Sequence, residues 1–460
     1  MSGFRRDVTA ALARSYDLIV VGGGIYGMTL TLEAARRGLR PLLVERDDFA
    51  SAASLNGLRI LHGGVRYLQS MDLPRFFESV EQRGWFMRRF APFCRALPCL
   101  MPLYGGGLKR PSVLRLALAM NDLLSRRDLG HASRVLGVDE TLRRLPRLRR
   151  DGLQGCASWH DGQILSPQRL HMELLRWAAD CGAVALNYVE ATGLARRGSR
   201  VTGLVTSAGT FEAPVVINAA GSWCREVAAR LDRDRPELMV PSLTFNVLLD
   251  VEPLADAAVA LQGRRMYFVT PHRAGLTFAG TVHHVWDGRR EPTGAMLDEF
   301  IGELNGALPG WALSRLNILR VTAGVLPARG PGQADMAHRS TFVRHDVAGL
   351  YSTCGVKYTT AQRFALRTLQ RIFGRRPADP RGPEFGERAA WVEPRALMAL
   401  DDEALRTLAR DEAVTCKEDF LERRMDWIAD REEQARFAAR LERILDVPRA
   451  GIPAGQAQDA

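Results

Sequence analysis

DLIVVGGGIYGMTLTLEAARRGLRPLLVE, Asp17 to Glu45, is the stretch that decides the fold. Leu18 to Val21 is an unbroken apolar run, as in a parallel strand buried on both faces. Gly22, Gly24 and Gly27 follow at the spacing G-x-G-x-x-G, with Ile25 and Tyr26 between the last two. Met28 to Arg37 are good helix formers stopped by Gly38, and Arg40 to Glu45 reads as a second strand. The glycines have separate tasks: a tight strand-to-helix turn, close approach of backbone to a diphosphate, and close packing of helix on strand. The helix N-terminus adds unpaired N–H groups and a partial positive charge. Glu45 falls where an acidic side chain accepts hydrogen bonds from a ribose. Together these features predict a dinucleotide-binding βαβ unit. An ordinary glycine-rich turn would leave Glu45 unexplained.

The 460-residue chain is long enough for two or three domains, and its 46% hydrophobic and 25% charged content is that of a globular protein. The net charge of +11 comes almost wholly from arginine, since Lys109, Lys357 and Lys417 are the only lysines. A basic surface suits small anions or anionic lipid headgroups, and no nucleic-acid module is visible. Seven cysteines without a C-x-x-C pair suit free thiols in a reducing compartment, and no metal-ligand spacing stands out. The first apolar run is the glycine-rich strand itself, so no signal peptide is expected. No run reaches transmembrane length. The expected setting is cytoplasmic, with attachment to the inner face of the cell membrane left open.

Outward from the fingerprint, Arg46 to Leu58 is rich in small residues and reads as a loop crossing the nucleotide, with Ser54 in it. RILHGGVRYLQ, Arg59 to Gln69, carries a Gly-Gly pair inside an apolar segment. Asp72 to Arg89 and Pro111 to Ser125 read as helices, and Pro92 to Gly107 as irregular because of its prolines and glycines. Asp161-Gly162 reads as a turn. Between Ala183 and Trp223, three strands joined by short turns are predicted, the last of them apolar before Gly221. Val240 to Val285 alternates like an antiparallel sheet, and Gly374 to Gly386 is a linker to helices running from Pro394 to about Leu445. The residues from Pro448 onward read as frayed.

In order along the chain stand RILHGGVRYL, HDGQILSPQRL (His160 to Leu170), VVINAAGSW (Val215 to Trp223), FVTPHRAGLTFAGT (Phe268 to Thr281) and GVKYTT (Gly355 to Thr360). With DEAVTCKEDFLERRM at Asp411 to Met425, this series resembles the FAD-dependent glycerol-3-phosphate dehydrogenase family, among the D-amino-acid-oxidase-like flavoproteins. The resemblance implies FAD in place of NAD, the β-meander before Gly221 being its mark. It also implies an α/β fold in three parts. A Rossmann-type FAD domain with the meander would take residues 1–72, 150–235 and 341–373. A mainly antiparallel α+β substrate domain would take 73–149 and 236–340, and a C-terminal helical domain 387–460. The implied partners are a small anionic substrate, a quinone or other electron acceptor, and a second copy of the chain in a homodimer.

Hydride transfer from a carbon bearing a hydroxyl needs a base, an anion-holding cation and stabilisation of the reduced flavin. His62 is the candidate base, with a structural histidine beside the cofactor as the alternative; Arg66 and Lys357 complete the catalytic set. Arg66, Tyr67, Arg273 and Arg329 are the candidate substrate contacts. Beyond the glycine turn, the cofactor contacts expected are Glu45, Arg46, Ser54, Arg59, His62, Gly63 and Gly64. Val189, Ala220, Gly221 and Trp223 come from the meander region. Gly355, Val356, Lys357, Tyr358 and Thr359 would place helix N–H groups beneath the flavin. Departures from the family pattern gather on the substrate side. Its Gly-Val-Arg-Pro reads GVLP here, with Leu326 for the arginine, and His283 and His284 stand where an acidic residue is usual. Arg329, Arg320 and Arg273 are the candidate replacements for the lost cation. A same-fold flavoenzyme for another hydroxy acid, amine or sugar, including an oxidase, is one rival reading. An FAD-binding scaffold without catalysis is the other.

Overall fold

The computed structural model describes residues 3–69, 72–105, 110–125, 129–262, 266–426 and 430–445; the Arg66 and Gln69 side chains and the tail from Pro448 lie outside the described residues. Leu18–Val21 is the centre of a six-stranded sheet, flanked in parallel by Pro41–Val44 and Val216–Asn218. Val184–Leu186 and Leu350–Cys354 extend the parallel sheet on either side, and Thr341–Arg344 closes one edge antiparallel. Leu18, Ile19 and Val20 are fully buried, as a strand covered on both faces requires. Helix Ile25–Ala35 packs between Pro167–Asp180 and Ala361–Phe373. Its one acidic residue, Glu33, is buried and satisfied by Arg36, Arg37 and Gln362.

The segment read as three strands divides further. Val184–Leu186 belongs to the parallel sheet, and the meander proper is Ala191–Arg197, Arg200–Thr206 and Gly209–Glu212. The apolar run Val216–Asn218 then returns to the parallel sheet beside the glycine-rich strand. This order delivers both Gly22 and Ala220 to the same end of the sheet.

A nine-stranded sheet faces that end. Its longest pairing joins Cys94–Tyr104 to Leu153–Ile164, which corrects two expectations. The first is that Pro92 to Gly107 is irregular. Proline cannot donate to a ladder, so it survives only where a bond is not required. Here the second neighbour, Ala258–Gln262, pairs only at Cys99 and Leu100, between Pro98 and Pro102. The second is the turn at Asp161-Gly162: both residues lie inside the 12-residue strand Leu153–Ile164. That strand therefore runs in the antiparallel sheet, although the boundary expected at residue 150 assigned it to the nucleotide-binding unit.

The C-terminal helices, Pro394–Met398, Asp402–Asp411, Asp419–Arg424 and Arg431–Ile444, have their own core of Leu397, Leu405, Phe420, Phe437 and Leu441. They are joined to the nucleotide-binding unit by buried charge. Arg424 makes two bonds to Asp48 (2.6 and 3.0 Å), Arg169 two to Glu412 (2.9 and 2.8 Å), and Arg59 two to Asp426 (2.6 and 2.8 Å).

Candidate active site

The sheet-end cleft is built by the fingerprint. Gly22 has φ of 111°, a conformation that other residues rarely adopt. A Cβ on Gly27 would lie 1.8 Å from the Gly22 carbonyl oxygen, so helix and turn can meet only through glycine. Ile25 N–H donates to Ser54 Oγ (2.9 Å), tying the crossing loop to the helix N-terminus. Glu45 accepts from Gly23 N–H (2.5 Å) and Asp47 N–H (3.0 Å), and burial raises its pKa. The cleft walls include Gly22, Gly24, Ile25, Tyr26, Glu45, Arg46, Ser54 and Val189 on one side. Ala220, Gly221, Trp223, Gly355, Val356 and Tyr358 continue them, and Val325, Leu326 and Pro327 of strand Ile318–Pro327 lie across the opening. Glycines that a Cβ would block, a helix N-terminus and an acidic residue at the second strand's end are the parts that fit a bound dinucleotide.

At the far end, Leu350–Cys354 leads through Gly355 to a helical turn Tyr358–Thr360, capped by Lys357, and then to Ala361–Phe373. Gly355 is dictated by Tyr26, whose ring would lie 2.0 Å from a Cβ there. Tyr26 Oη donates to the Lys357 carbonyl (2.8 Å) and accepts from Lys357 N–H (3.2 Å), fixing the turn. The Lys357 ammonium sits 4.3 Å from the centre of the Tyr67 ring, so two of the expected site residues are brought together. Thr359, in the same turn, is buried.

His62 follows strand Ile60–Leu61 and rests against Phe268, with ring centres 5.3 Å apart. Its Nδ1 is 3.2 Å from Asp161 Oδ2. The Asp161 carboxylate is buried and also accepts from Gly63 N–H (2.6 Å), Arg83 Nη1 (3.1 Å) and Trp159 Nε1 (3.3 Å). Burial opposes its ionisation, but His62, Arg83 and Gly63 outweigh burial and hold its pKa below the ordinary range. An ionised acceptor at Nδ1 selects the tautomer with the proton there and leaves Nε2 as the basic atom. Asp161 was not legible as a site residue; its signal was an aspartate among strand-forming neighbours, read as a turn. The glycine pair also has a reason other than room for a flavin. A Cβ on Gly63 would lie 1.8 Å from Arg83 Nη1, and Gly64 has φ of 93°.

Several arginines are elsewhere. Arg59, expected at the cofactor, has its guanidinium on Asp426. Arg273, expected at the substrate, bonds Glu393 (2.7 Å) and the Leu165 carbonyl (3.2 Å), because the C-terminal helices present carboxylates to it. Arg329 is exposed past the end of strand Ile318–Pro327 and does not line the cleft. Arg320 lies six residues before Leu326 on that strand, roughly 20 Å away at about 3.3 Å per residue. Arg273 is thereby taken, and neither Arg329 nor Arg320 is among the side chains that line the cleft beside Leu326. Arg66 lies in helix Val65–Gln69, with its side chain outside the described residues. A second histidine array, Asp232–His345–Ser352 (2.9 and 2.8 Å), has the connectivity of a hydrolase triad. Ser352 is fully buried and bonded to Asn218 (3.0 Å), so the array joins strands and has no opening for a substrate.

Residues 17–361 match the family model described as DAO, FAD dependent oxidoreductase. The chain belongs to this family. A glycerol-3-phosphate dehydrogenase 1 from Mycobacterium bovis is 31% identical over 388 residues, 79% of this chain and 74% of the relative. The glycerol-3-phosphate dehydrogenase of Synechocystis sp. is 28% identical over 398 residues, 80% of this chain and 72% of the relative. A glycerol-3-phosphate dehydrogenase structure from Bacillus halodurans, complexed with FAD, shares the fold with a TM-score of 0.68 at 22% identity. It is matched over 95% of this chain and 96% of its own. The protein is thus an FAD-dependent oxidoreductase, and FAD is the dinucleotide its cleft is built for. When bound, FAD supplies the hydride acceptor. The residues that fit that group are those of the glycine turn and of Gly355, Val356 and Tyr358, which line one cleft.

Proposed function

We propose that the chain dehydrogenates glycerol 3-phosphate or a closely related phosphorylated polyol at its secondary hydroxyl. The observation that carries this reading is the Asp161–His62 pair, followed in the chain by Gly64, against which lies the Tyr67 ring that holds the Lys357 ammonium. His62 Nε2 takes the hydroxyl proton, while Lys357 holds the substrate anion. Bound FAD would accept the hydride from the same carbon, leaving the ketone as product, and would be reoxidised by a quinone or another acceptor. The assignment is tested by anaerobic mixing of the holoprotein with glycerol 3-phosphate, lactate, glycine and free glycerol. Bleaching of the flavin band by the phosphorylated polyol alone is expected; bleaching by another donor and not by this one overturns it. Leu326 is the feature that favours a different donor, so Leu326→Arg is the second arm. Restoring one charge-assisted contact is expected to lower KM for glycerol 3-phosphate about tenfold.

Electron transfer to a quinone is a membrane reaction, and helix Pro111–Leu124 supports a seat on the bilayer surface. Val113, Leu116 and Leu123 are exposed on one stripe, Leu116 by 66% and Leu123 by 75%, while Leu114 and Leu118 pack inward. Arg110 and Arg115 flank the stripe and are exposed. Among the described residues no helix is long and apolar enough to cross a membrane. Co-sedimentation with phosphatidylglycerol vesicles at low salt is expected, and Leu116→Glu with Leu123→Glu should cut it at least fivefold. Wild-type protein that stays in the supernatant would remove the membrane seat.

A further inference from the structure

Two glycines, one in each of the segments that supply His62 and Asp161, make room for the same side chain. A Cβ on Gly63 would lie 1.8 Å from Arg83 Nη1 and 2.4 Å from its Cζ. A Cβ on Gly162, the residue after Asp161, would lie 3.4 Å from Arg83 Cγ. Arg83 projects from helix Leu73–Arg89, in which Phe76, Ser79, Arg83 and Phe86 recur at helical spacing and are buried. Ser79 meets the next glycine of the turn, since a Cβ on Gly64 would lie 3.1 Å from its Cβ. The Arg83 side chain is 2% exposed, and its Nη1 donates to Asp161 Oδ1 (3.1 Å) and to the His160 carbonyl (3.2 Å). Its chain neighbour Gln82 ties the same helix to Ala361–Phe373, the helix that follows the Lys357 turn. Gln82 accepts from Arg363 N–H (3.0 Å) and donates to Gln362 Oε1 (3.1 Å).

The two carboxylate oxygens of Asp161 are thereby divided. Oδ1 receives Gly63 N–H and Arg83, while Oδ2 receives Trp159 Nε1 and faces His62 Nδ1. A guanidinium fixed on one oxygen keeps the carboxylate from turning away from the imidazole at the other, and it takes a share of the negative charge. The remaining groups around the pair leave that task to Arg83. Strand Cys94–Tyr104 presents Cys99, whose thiol is pushed well up by burial and the Asp161 charge. His160, beside Asp161 in the chain, is pushed down by burial and by His131 stacked on it at 4.1 Å. Strand Met266–Pro271 presents the uncharged Phe268, and beyond Gly64 the Tyr67 ring carries Lys357. We propose that Arg83 is the positioning residue of the proton-accepting pair: it fixes Asp161 against His62 Nδ1 and, by sharing the carboxylate, keeps it from trapping His62 as an imidazolium. This inference rests on the reading of His62 as the base. It also gives the glycines after His62 and Asp161 one common reason, since both leave space for Arg83.

The test is the pH dependence of anaerobic flavin reduction in the holoprotein, by the donor that bleaches the wild-type flavin, with flavin content measured for each variant. Arg83→Gln removes the cation and keeps a donor. The inflection of its rate is expected to move up by about one pH unit, because an unshared carboxylate favours the protonated imidazole. Arg83→Lys restores the charge and should bring the inflection back to within about 0.3 unit of wild type. Arg83→Met is the second neutral variant and carries the same expectation as Arg83→Gln if the latter yields no holoprotein. A merely structural arginine would lower flavin content and melting temperature without moving the inflection, and that result overturns the proposal. His62→Gln separates the two levels of the argument, since it should abolish the inflection. If His62→Gln keeps the wild-type inflection, the base reading falls and this inference with it. If His62→Gln loses it while the neutral Arg83 variants keep it, the inference about Arg83 falls alone.

Discussion

Replacing Asp161 by asparagine is expected to lower the rate of flavin reduction by about 10²–10⁴, the range associated with loss of a positioned general base. The carboxylate receives four donors, from Gly63, His62, Arg83 and Trp159. An asparagine amide offers one oxygen to them and turns two hydrogens toward a site that contains donors only. The His62 ring then loses the partner that fixes its proton on Nδ1, and the tautomer with Nε2 protonated cannot take a hydroxyl proton. Stopped-flow reduction under anaerobic conditions reads the effect, with the flavin content of the purified variant measured in parallel. His62→Gln should cost a similar factor. If Asp161 acts through His62, the double variant is no slower than the single ones, because groups that work as a unit are not additive. A fully flavinated Asp161→Asn protein within threefold of the wild-type rate would sink the argument.

That residue also marks where a single sequence stops being legible. The fingerprint was readable because each part of it is local: a strand, a turn that only glycine can make, a helix and an acid, all within 29 residues. The Lys357 turn was readable for the same reason, with strand, glycine and helix start adjacent in the chain. The meander was readable in kind, but its edges were not, since the change from parallel strand to antiparallel hairpin leaves no break in apolar character. Asp161-Gly162 has the composition of a turn and is a strand interior, because the pairing with Leu97 and Ala96 that holds it extended comes from 64 and 66 residues earlier. Pro98 and Pro102 misled in the same way: proline marks a missing donor, and whether a strand tolerates this depends on its neighbour. The arginines were hardest. Arg59 and Arg273 have side chains suited to an anionic substrate, and both are taken by Asp426 and Glu393 from the C-terminal helices. Nothing local distinguishes an arginine waiting for a ligand from one already paired across more than a hundred residues.

Those distant pairs carry the second large effect. Asp48→Ala is expected to cost about 3–5 kcal/mol of stability, the range for removing one partner of a buried ion pair. Arg424 is fully buried and Arg423 nearly so, and both bond Asp48, with Asn187 as a further donor at 2.8 Å. Without the carboxylate, two guanidinium charges remain in the interior with fewer acceptors than donors. The same logic sets the acid limit of the fold. Burial works against ionised Glu412, yet Arg169, Arg176 and Arg424 pull its pKa from the ordinary 4.5 down to about 2. Arg59, with His272 and Arg273, likewise overcomes burial to hold Asp426 below its ordinary range. A carboxylate depressed in the folded state contributes stability that is complete above its unfolded pKa and is lost as pH falls toward the folded one. Stability measured by urea unfolding should therefore fall steeply between about pH 4.5 and about 2. Glu412→Gln should flatten that fall while lowering the plateau at neutral pH. Because Asp48 lies in the loop that Ser54 ties to the glycine-turn helix and Asp426 holds the segment leading to His62, loss of the C-terminal contacts should release FAD before the rest of the chain unfolds. Fluorescence of freed flavin appearing ahead of the circular-dichroism transition is the expected order. Simultaneous transitions, with Asp48→Ala within 1 kcal/mol of wild type on the scale expected for exposed pairs, would mean that these buried charges do not anchor the cofactor site.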